Sequence, residues 1–426
     1  MTSTAPQLLP YLERLLDGET VEWKTLGEVA ELYTGLSGKN KEHFQKGNAP
    51  YVTYKNIYDH LSVDATILES VFIAPHERQH AVQYGDVLIT GSSENIEEVG
   101  MSSVVTFHPK TEIYLNSFSF GIRFHSSVQL SPEFTKYLFR SDLLRKQIMK
   151  TASGVTRFNV SKKKFSTIII PLPPLRVQAR IVDILDKFTQ LEAELEAELE
   201  ARNKQYDFYR NRLLDFAHRD DLAGQVEWKT LGEVFNTRNG YTPSKANEDF
   251  WQDGTIPWFR MDDIRANGRI LYDSALHITP QAVKRNGLFK ANSILLATTA
   301  TIGEHALLRQ NALANQQLTN FEIKEEFREL LIPKFAFYYF FIINEWCKAN
   351  ARQNSLPSVD LQKLRKEPFP LPPLEEQRRI VEILDRFDTL TNSISEGLPR
   401  EIALRRKQYE YYRDALLRFP PPAPTA

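Results

Sequence analysis

Residues 76–80 read His-Glu-Arg-Gln-His, two imidazoles four positions apart with a carboxylate between them. On a helix that spacing puts both rings on one face, where they could hold zinc while the glutamate takes a proton from bound water, as in a metalloprotease. The segment follows Val-Phe-Ile-Ala-Pro directly and has no clearly placed third ligand. Its counterpart after Pro280, Gln-Ala-Val-Lys-Arg, has neither His nor Glu. The match therefore reads as a decoy. The single cysteine, Cys347, has no base motif beside it and reads as a small buried hydrophobe. There is no P-loop, GxGxxG fingerprint, GxSxG elbow or CxxC pair. An Asn-Pro-Pro-aromatic tetrad and a nuclease PD…ExK set are equally missing. These absences predict a chain that is not catalytic by itself.

What chemistry the sequence offers is polar and basic, placed where loops are expected. One group holds Lys39, Lys41, Tyr54, Lys55, Asn56, Ser92, Ser93, Arg157, Lys162, Lys163 and Lys164. The other holds Tyr241, Lys245, Arg260, Arg265, Arg285, Thr298, Thr299, Gln316 and Gln317. Arg, Asn and Gln can make paired hydrogen bonds to guanine or adenine edges, while Lys and hydroxyl groups anchor phosphates. A lone surface lysine is ordinarily just solvated, so the clusters carry the argument, above all Thr-Arg-Phe-Asn-Val-Ser-Lys-Lys-Lys at Thr156–Lys164. The formal charge of −1 looks wrong for a nucleic-acid binder until it is divided. Residues 21–170 hold 17 Lys and Arg against 15 acids, and 226–370 hold 18 against 16, whereas 181–216 hold 5 against 9. The near-neutral total thus leaves DNA contact open to the two basic segments.

Those segments sit inside a frame that is written twice. Val21–Val29, VEWKTLGEV, returns at Val226–Val234; PLPPLRVQARIVDILDKFTQL from Pro171 returns as PLPPLEEQRRIVEILDRFDTL from Pro370. RNKQYDFYRNRLLDF from Arg202 returns as RRKQYEYYRDALLRF from Arg405. Between the repeated words lie unlike inserts, Ala30–Ile170 and Phe235–Phe369. One frame is present in two copies, and the inserts perform two versions of one task. The 426 residues have room for about two to three domains. No charge-free apolar run approaches the length of a membrane helix and residues 1–10 lack a signal-peptide pattern, so a cytoplasmic location is expected.

Each insert mixes short apolar runs with turn residues and ends in a helical pattern, which predicts an α+β domain of about 140 residues. From Ile181 to Phe216 apolar residues step by three and four without Gly or Pro, the stripe of one long helix. A helix of roughly 40 residues is about 60 Å long. The second copy repeats the stripe but contains Gly397 and Pro399, so a kink or break is expected there. A single-stripe helix cannot bury its apolar side alone. The predicted fold is two globular domains joined by two long helices packed antiparallel as a coiled-coil pair, with a pseudo-twofold internal repeat. Inside the first helix, LEAE-LEAE-LEAR from Leu191 to Arg202 is a smaller repeat. One four-residue unit adds about 6 Å and nearly preserves the stripe's phase, so units can be gained or lost without breaking packing. On these features alone, a duplicated scaffold that binds proteins remains an alternative to DNA binding.

The double PLPPL-x-x-Q-x-x-I-V-x-I-L-D block, the phrases IPWF…DDI, SILLA…TIG and NQQL, and the LEAE units resemble the specificity subunit of a type I restriction-modification system. The resemblance covers almost the whole chain, and the start, LLPYLERLLDGETVEWKTLGEV, is similar to one subgroup. It implies two target-recognition domains, each reading half of a bipartite, asymmetric double-stranded DNA site. It also implies helices that act as a ruler and dock two methyltransferase (M) subunits and further restriction (R) subunits. The chain itself would carry no cofactor; S-adenosylmethionine, ATP and Mg would be used by its partners. The implied divisions are an N-terminal helical segment, 1–20, completing the second conserved region; target-recognition domains at 21–170 and 221–369; spacer helices at 171–220 and 370–419; and a Pro-rich tail, 420–426. The first insert lacks the Trp and Arg of IPWFR, reading APYVTYK instead.

Overall fold

The computed structural model describes residues 10–352, 355–393 and 396–421. Residues 1–9 of the N-terminal segment and 422–426 of the Pro-rich tail lie outside that range. The chain forms two compact units, one of residues up to Glu194 with those from Ala403 on, the other of Leu195–Ile402. Each contains one insert together with parts of the repeated helices.

In the first unit the repeated word Glu22–Thr25 is a strand pairing antiparallel with Ile169–Leu172, Trp23 opposite Pro171. In the second, Glu227–Thr230 pairs identically with Pro368–Leu371, Trp228 opposite Pro370. Thr25 and Thr230 then cap four-residue helices, their backbone N–H groups donating to Glu28 and Glu233 at 2.7 and 2.6 Å. The Thr-x-x-Glu spacing is a capping box, which both copies of the word share. The insert is thereby tied at both ends into a two-stranded clasp.

Beyond the clasp each unit builds a mixed layer structure. The first has a four-stranded antiparallel sheet ordered Ala30–Thr34, Ser119–Phe124, Val87–Thr90, Ser102–Val104. The second has the corresponding strands Phe235–Asn239, Leu318–Ile323, Ile294–Ala297 and His305–Leu308, with Ile270–Leu271 added parallel at the edge. Val87 faces Ile122 in one sheet and Ile294 faces Phe321 in the other, which fixes the equivalence of positions between units. Helices Pro132–Leu138 and Pro333–Ala349 cover one face and bury Phe134, Tyr137, Phe335 and Phe340. Each of these rings removes about 2–3 kcal/mol worth of apolar surface from water.

The helix predicted from the apolar stripe runs from Leu175 to Leu214, 40 residues. In the first unit its early turns pack antiparallel on the helix Gly397–Leu416, Phe188 stacked on Tyr412 and Glu192 paired with Arg406. In the second its late turns pack on Leu374–Asn392 through Tyr206 and Tyr209 on Phe387, and Arg219, past the helix's end, pairs with Glu376 at 3.0 Å. The second copy breaks between Asn392 and Gly397, as Gly397 and Pro399 predict. Gly397 has φ 74°, and a Cβ there would lie 2.4 Å from the Thr389 carbonyl oxygen.

The glutamine of PLPPL-x-x-Q explains itself in this setting. Gln178 is fully buried; its amide donates to the carbonyls of Gln129 and Pro173 and accepts from Ser131 N–H at 2.8 Å. Gln377 repeats all three bonds with Leu330, Pro372 and Ile332. Each glutamine satisfies backbone groups of the loop entering the covering helix and so staples insert to frame. Nearby, the buried phenols of Tyr137 and Tyr338 each donate to a frame carboxylate, Asp186 and Asp385, at 2.5 Å. Among the described residues no helix is long and apolar enough to cross a membrane.

Candidate nucleic-acid interface

In the first unit three separate pieces of chain converge. The short helix Tyr54–Asp59 starts at Thr53, whose hydroxyl accepts from Asn56 N–H at 3.1 Å. Strand Val87–Thr90 runs on into Ser92–Ser93, which pairs with Phe158–Val160, Asn159 opposite Ser92. Phe158–Val160 in turn pairs with Ala152–Ser153 across a tight turn. Gly154 makes that turn possible: φ is 150°, and a Cβ would sit 2.0 Å from the Arg157 carbonyl oxygen.

This convergence gathers five of the sequence candidates, Tyr54, Lys55, Ser92, Ser93 and Arg157, around a cleft of about 690 Å³. Tyr54 donates its hydroxyl to the Ser92 carbonyl at 2.9 Å and stacks on Tyr58 with an interplanar angle of 17°. Arg157 donates twice to Ser92 Oγ, at 3.1 and 2.8 Å. Burial and the carboxylate of Glu98 hold the Tyr58 phenol above its ordinary pKa. The rim is therefore a fixed set of aromatic faces and donors with Lys55 exposed beside them. Lys162 and Lys163 are exposed on the next helix, Lys162–Phe165, which is capped by Ser161.

The second unit uses the same element ends with other side chains. Arg260 is the N-cap of helix Met261–Asn267, and its backbone N–H donates to the buried Asp263 at 2.8 Å. Asp263 also accepts from Ala275 N–H at 2.9 Å and so fixes the loop that follows the helix. Arg260 and Lys245 border a cleft of about 440 Å³ with Trp251 and Trp258, whose rings meet edge to face at 5.0 Å. Arg265 faces a different cavity, of about 900 Å³, together with Arg210, Arg269 and Glu304, and lies 3.4 Å from Thr301 Oγ1. Gln316 is exposed and accepts from Thr242 Oγ1 at 2.6 Å; Gln317 and Thr299 are half-buried.

Several sequence candidates are committed to internal contacts. Lys39 is buried to its ammonium, which donates to the Phe72 carbonyl and pairs with Glu77 at 2.5 Å. Hydrogen bonds from Lys39, then Ala74 N–H and Gln79, hold the Glu77 carboxyl down at about 2. Asn56 is fully buried and bonds both backbone groups of Asp64, at 2.8 and 3.0 Å. Tyr241 donates to the Ala282 carbonyl, accepts from Lys284 N–H and lies under the Lys284 ammonium. Thr298 is buried with its hydroxyl 2.7 Å from that of Thr319. Lys41 is exposed on the turn Lys41–Phe44, outside the cleft lining. The exposed Arg285 and Lys164 are likewise outside both clefts.

The zinc motif is no motif in three dimensions. Residues 77–80 have no helical conformation, so the two imidazoles do not share a helix face, and Glu77 serves Lys39. Among the described residues no cluster of three or more His, Cys, Asp or Glu could hold a metal ion. Burial pushes the Cys347 thiol up to about 12, far from a nucleophile's range. Among the aromatics the sequence reading named Tyr54 and Tyr241 but not Tyr58, Phe118 or the Trp251–Trp258 pair, which line these clefts or their rims.

Comparison with known proteins accounts for the duplicated frame. A family profile described as Type I restriction modification DNA specificity domain matches residues 18–201 and again 225–404. The chain is 35% identical over 438 residues to the EcoR124I/EcoR124II specificity subunit of Escherichia coli, covering 97% of this chain and 98% of that one. It is 50% identical over 202 residues to the EcoprrI specificity subunit of Escherichia coli, covering 46% of this chain and 50% of the relative. A chain solved in work on complex assembly and conformational transition of the type I R-M system shares the fold. Its TM-score is 0.68 at 20% identity, over 97% of this chain and 99% of that chain. Two profile matches in tandem and a relative aligned end to end place the protein: it belongs to the type I restriction-modification DNA specificity family and is a non-catalytic specificity subunit.

Proposed function

We propose that the two units read the two halves of a bipartite, asymmetric double-stranded DNA site, each through the element ends described above. The observation that carries this reading is the repetition of one clasped frame around faces built at equivalent positions from different side chains. Thr53 in one unit and Arg260 in the other cap equivalent helices, and Tyr58 and Arg265 follow at equivalent positions. Two faces with one scaffold and unlike donors suit two unlike words. The bases contacted would be read by Lys55, Ser93 and Arg157 in one half and by Lys245, Arg260, Arg265, Thr299, Gln316 and Gln317 in the other, with Lys162 and Lys163 toward phosphates.

The repeated helices would dock two M subunits and further R subunits and act as the ruler between the words. Adenine methylation requires the base to leave the stack, work assigned to M subunits using S-adenosylmethionine; ATP and Mg belong to the R subunits. No cofactor is assigned to this chain, whose place is the cytoplasm. Replacing Phe235–Phe369 by the insert of another family member tests the assignment. Methylome sequencing should show one half-site changed and the other kept. A change in both halves would contradict separate reading.

A further inference from the structure

Among the described residues Phe118 is the most exposed phenylalanine, at 64% of its full surface, and it stands on the rim of the first unit's cleft. Its backbone is nevertheless fixed from both sides. The Phe118 N–H donates to Asn116 Oδ1 at 3.0 Å, and its carbonyl accepts from Gly91 N–H at 2.8 Å. A Cβ on residue 91 would lie 2.7 Å from that carbonyl oxygen, so glycine there lets the two loops touch. The second unit builds the same turn: Gln317 N–H donates to Asn315 Oδ1 at 3.2 Å and its carbonyl accepts from Thr298 N–H at 3.1 Å. Phe118 and Gln317 are therefore equivalent positions, one apolar and one amide.

We infer that Phe118 is a specificity-determining residue that packs on the C5-methyl group of a thymine in the first half-site. This inference rests on the proposed DNA-reading face. A ring carried on a fixed backbone beside Lys55 and Arg157 has no hydrogen-bonding group with which to read a base edge. The apolar feature that base pairs present in the major groove is the thymine methyl. A minor-groove wedge is the other use of an exposed phenylalanine, and it acts by unstacking bases whatever their methylation. The equivalent Gln317 carries an amide, the group that pairs with adenine. The same turn thus presents shape in one unit and hydrogen bonds in the other.

The test uses the full chain with its methyltransferase partner and duplexes in which each A·T pair of the first half-site is converted, one at a time, to A·U. At one pair, loss of the methyl should weaken wild-type binding roughly fourfold, the value of one buried methyl group. The Phe118→Ala protein, whose Tm should be unchanged because the ring is exposed, should bind the T and U duplexes equally at that pair. A first half-site without an A·T pair, a wild type indifferent to every conversion, or a methyl effect that persists in Phe118→Ala would each overturn the inference. Lys55→Ala and Arg157→Ala separate the two levels. If both weaken binding while the methyl is irrelevant, the face stands and the role of Phe118 falls; if neither weakens it, the face itself is wrong.

Discussion

Arg260 reaches its place because the backbone around it is settled first. Asp263 accepts its N–H and the Ala275 N–H, so the guanidinium is presented from a fixed cap and keeps only a 3.7 Å approach to Asp262. If it reads a base, Arg260→Ala should cost about 1–3 kcal/mol of discrimination at one position of the second half-site. Competition binding with single-base variants measures this, and uniform weakening would reassign Arg260 to a phosphate. A second residue gives a pH signature. His305 is fully buried, its Nε2 on the Phe337 carbonyl at 2.9 Å and its Nδ1 2.6 Å from the Asn344 amide. Burial, then the charge of Arg269, holds its pKa well below the ordinary value. The folded state therefore takes up fewer protons than the unfolded one, and stability present above about pH 6.5 is lost as the pH falls below it. Chemical denaturation should show about 1 kcal/mol less stability at about pH 5.5 than at about pH 7.5, with the difference abolished in His305→Asn. Local chemistry made Arg260 visible in the sequence as a loop arginine. Lys39 looked equally available, in a loop of Gly, Ser and Asn, because its partner Glu77 is 38 residues away and no local pattern announces the pair.

At the scale of elements, a polar anchor recurs with its parts exchanged. Lys136 pairs with Asp186 at 3.0 Å in the first unit, whereas in the second Lys334, from a different turn of the covering helix, reaches Asp385 at 2.8 Å. The carboxylate and the tyrosine stay while the lysine moves, which marks the frame aspartate as the fixed point. The buried glutamine beside it is the stronger test. Gln377→Ala leaves the Ile332 N–H and two carbonyls without their partner and should destabilise the protein by about 1–3 kcal/mol. A surface change such as Gln252→Ala should stay within about 0.5 kcal/mol, with thermal unfolding as the readout. The long helix was legible because its signal repeats every three to four residues within one stretch, and the break at Gly397 because φ near 74° favours glycine. The clasp was not legible: Glu22–Thr25 meets Ile169–Leu172 from some 147 positions away, a pairing that alternation of residues cannot specify. The capping boxes account for the shared Thr and Glu of these words, yet only the sheet shows what the words close.

For the whole molecule, duplication is the property from which function follows. Repeated words build the clasp, the glutamine staple and the helix contacts in both units, and the longest stretches that differ are the inserts. The family was legible from the double proline-glutamine block, whose spacing is dictated by strand, turn and staple together. The bases read were not, because they depend on how Phe118, Arg157 or Arg260 meets a groove edge, and the same turn can carry Phe or Gln. The central claim, that two unlike faces read two unlike words at a separation set by the helices, is tested most directly by methylome sequencing. Cells would express the methyltransferase with the intact chain or with one LEAE unit deleted from residues 191–202. The intact chain should methylate two dissimilar words separated by a fixed non-specific gap, and the deletion should keep both words and shorten the gap by about one base pair, the unit's roughly 6 Å being only partly aligned with the DNA. A single continuous word, or a gap unchanged by the deletion, would contradict it.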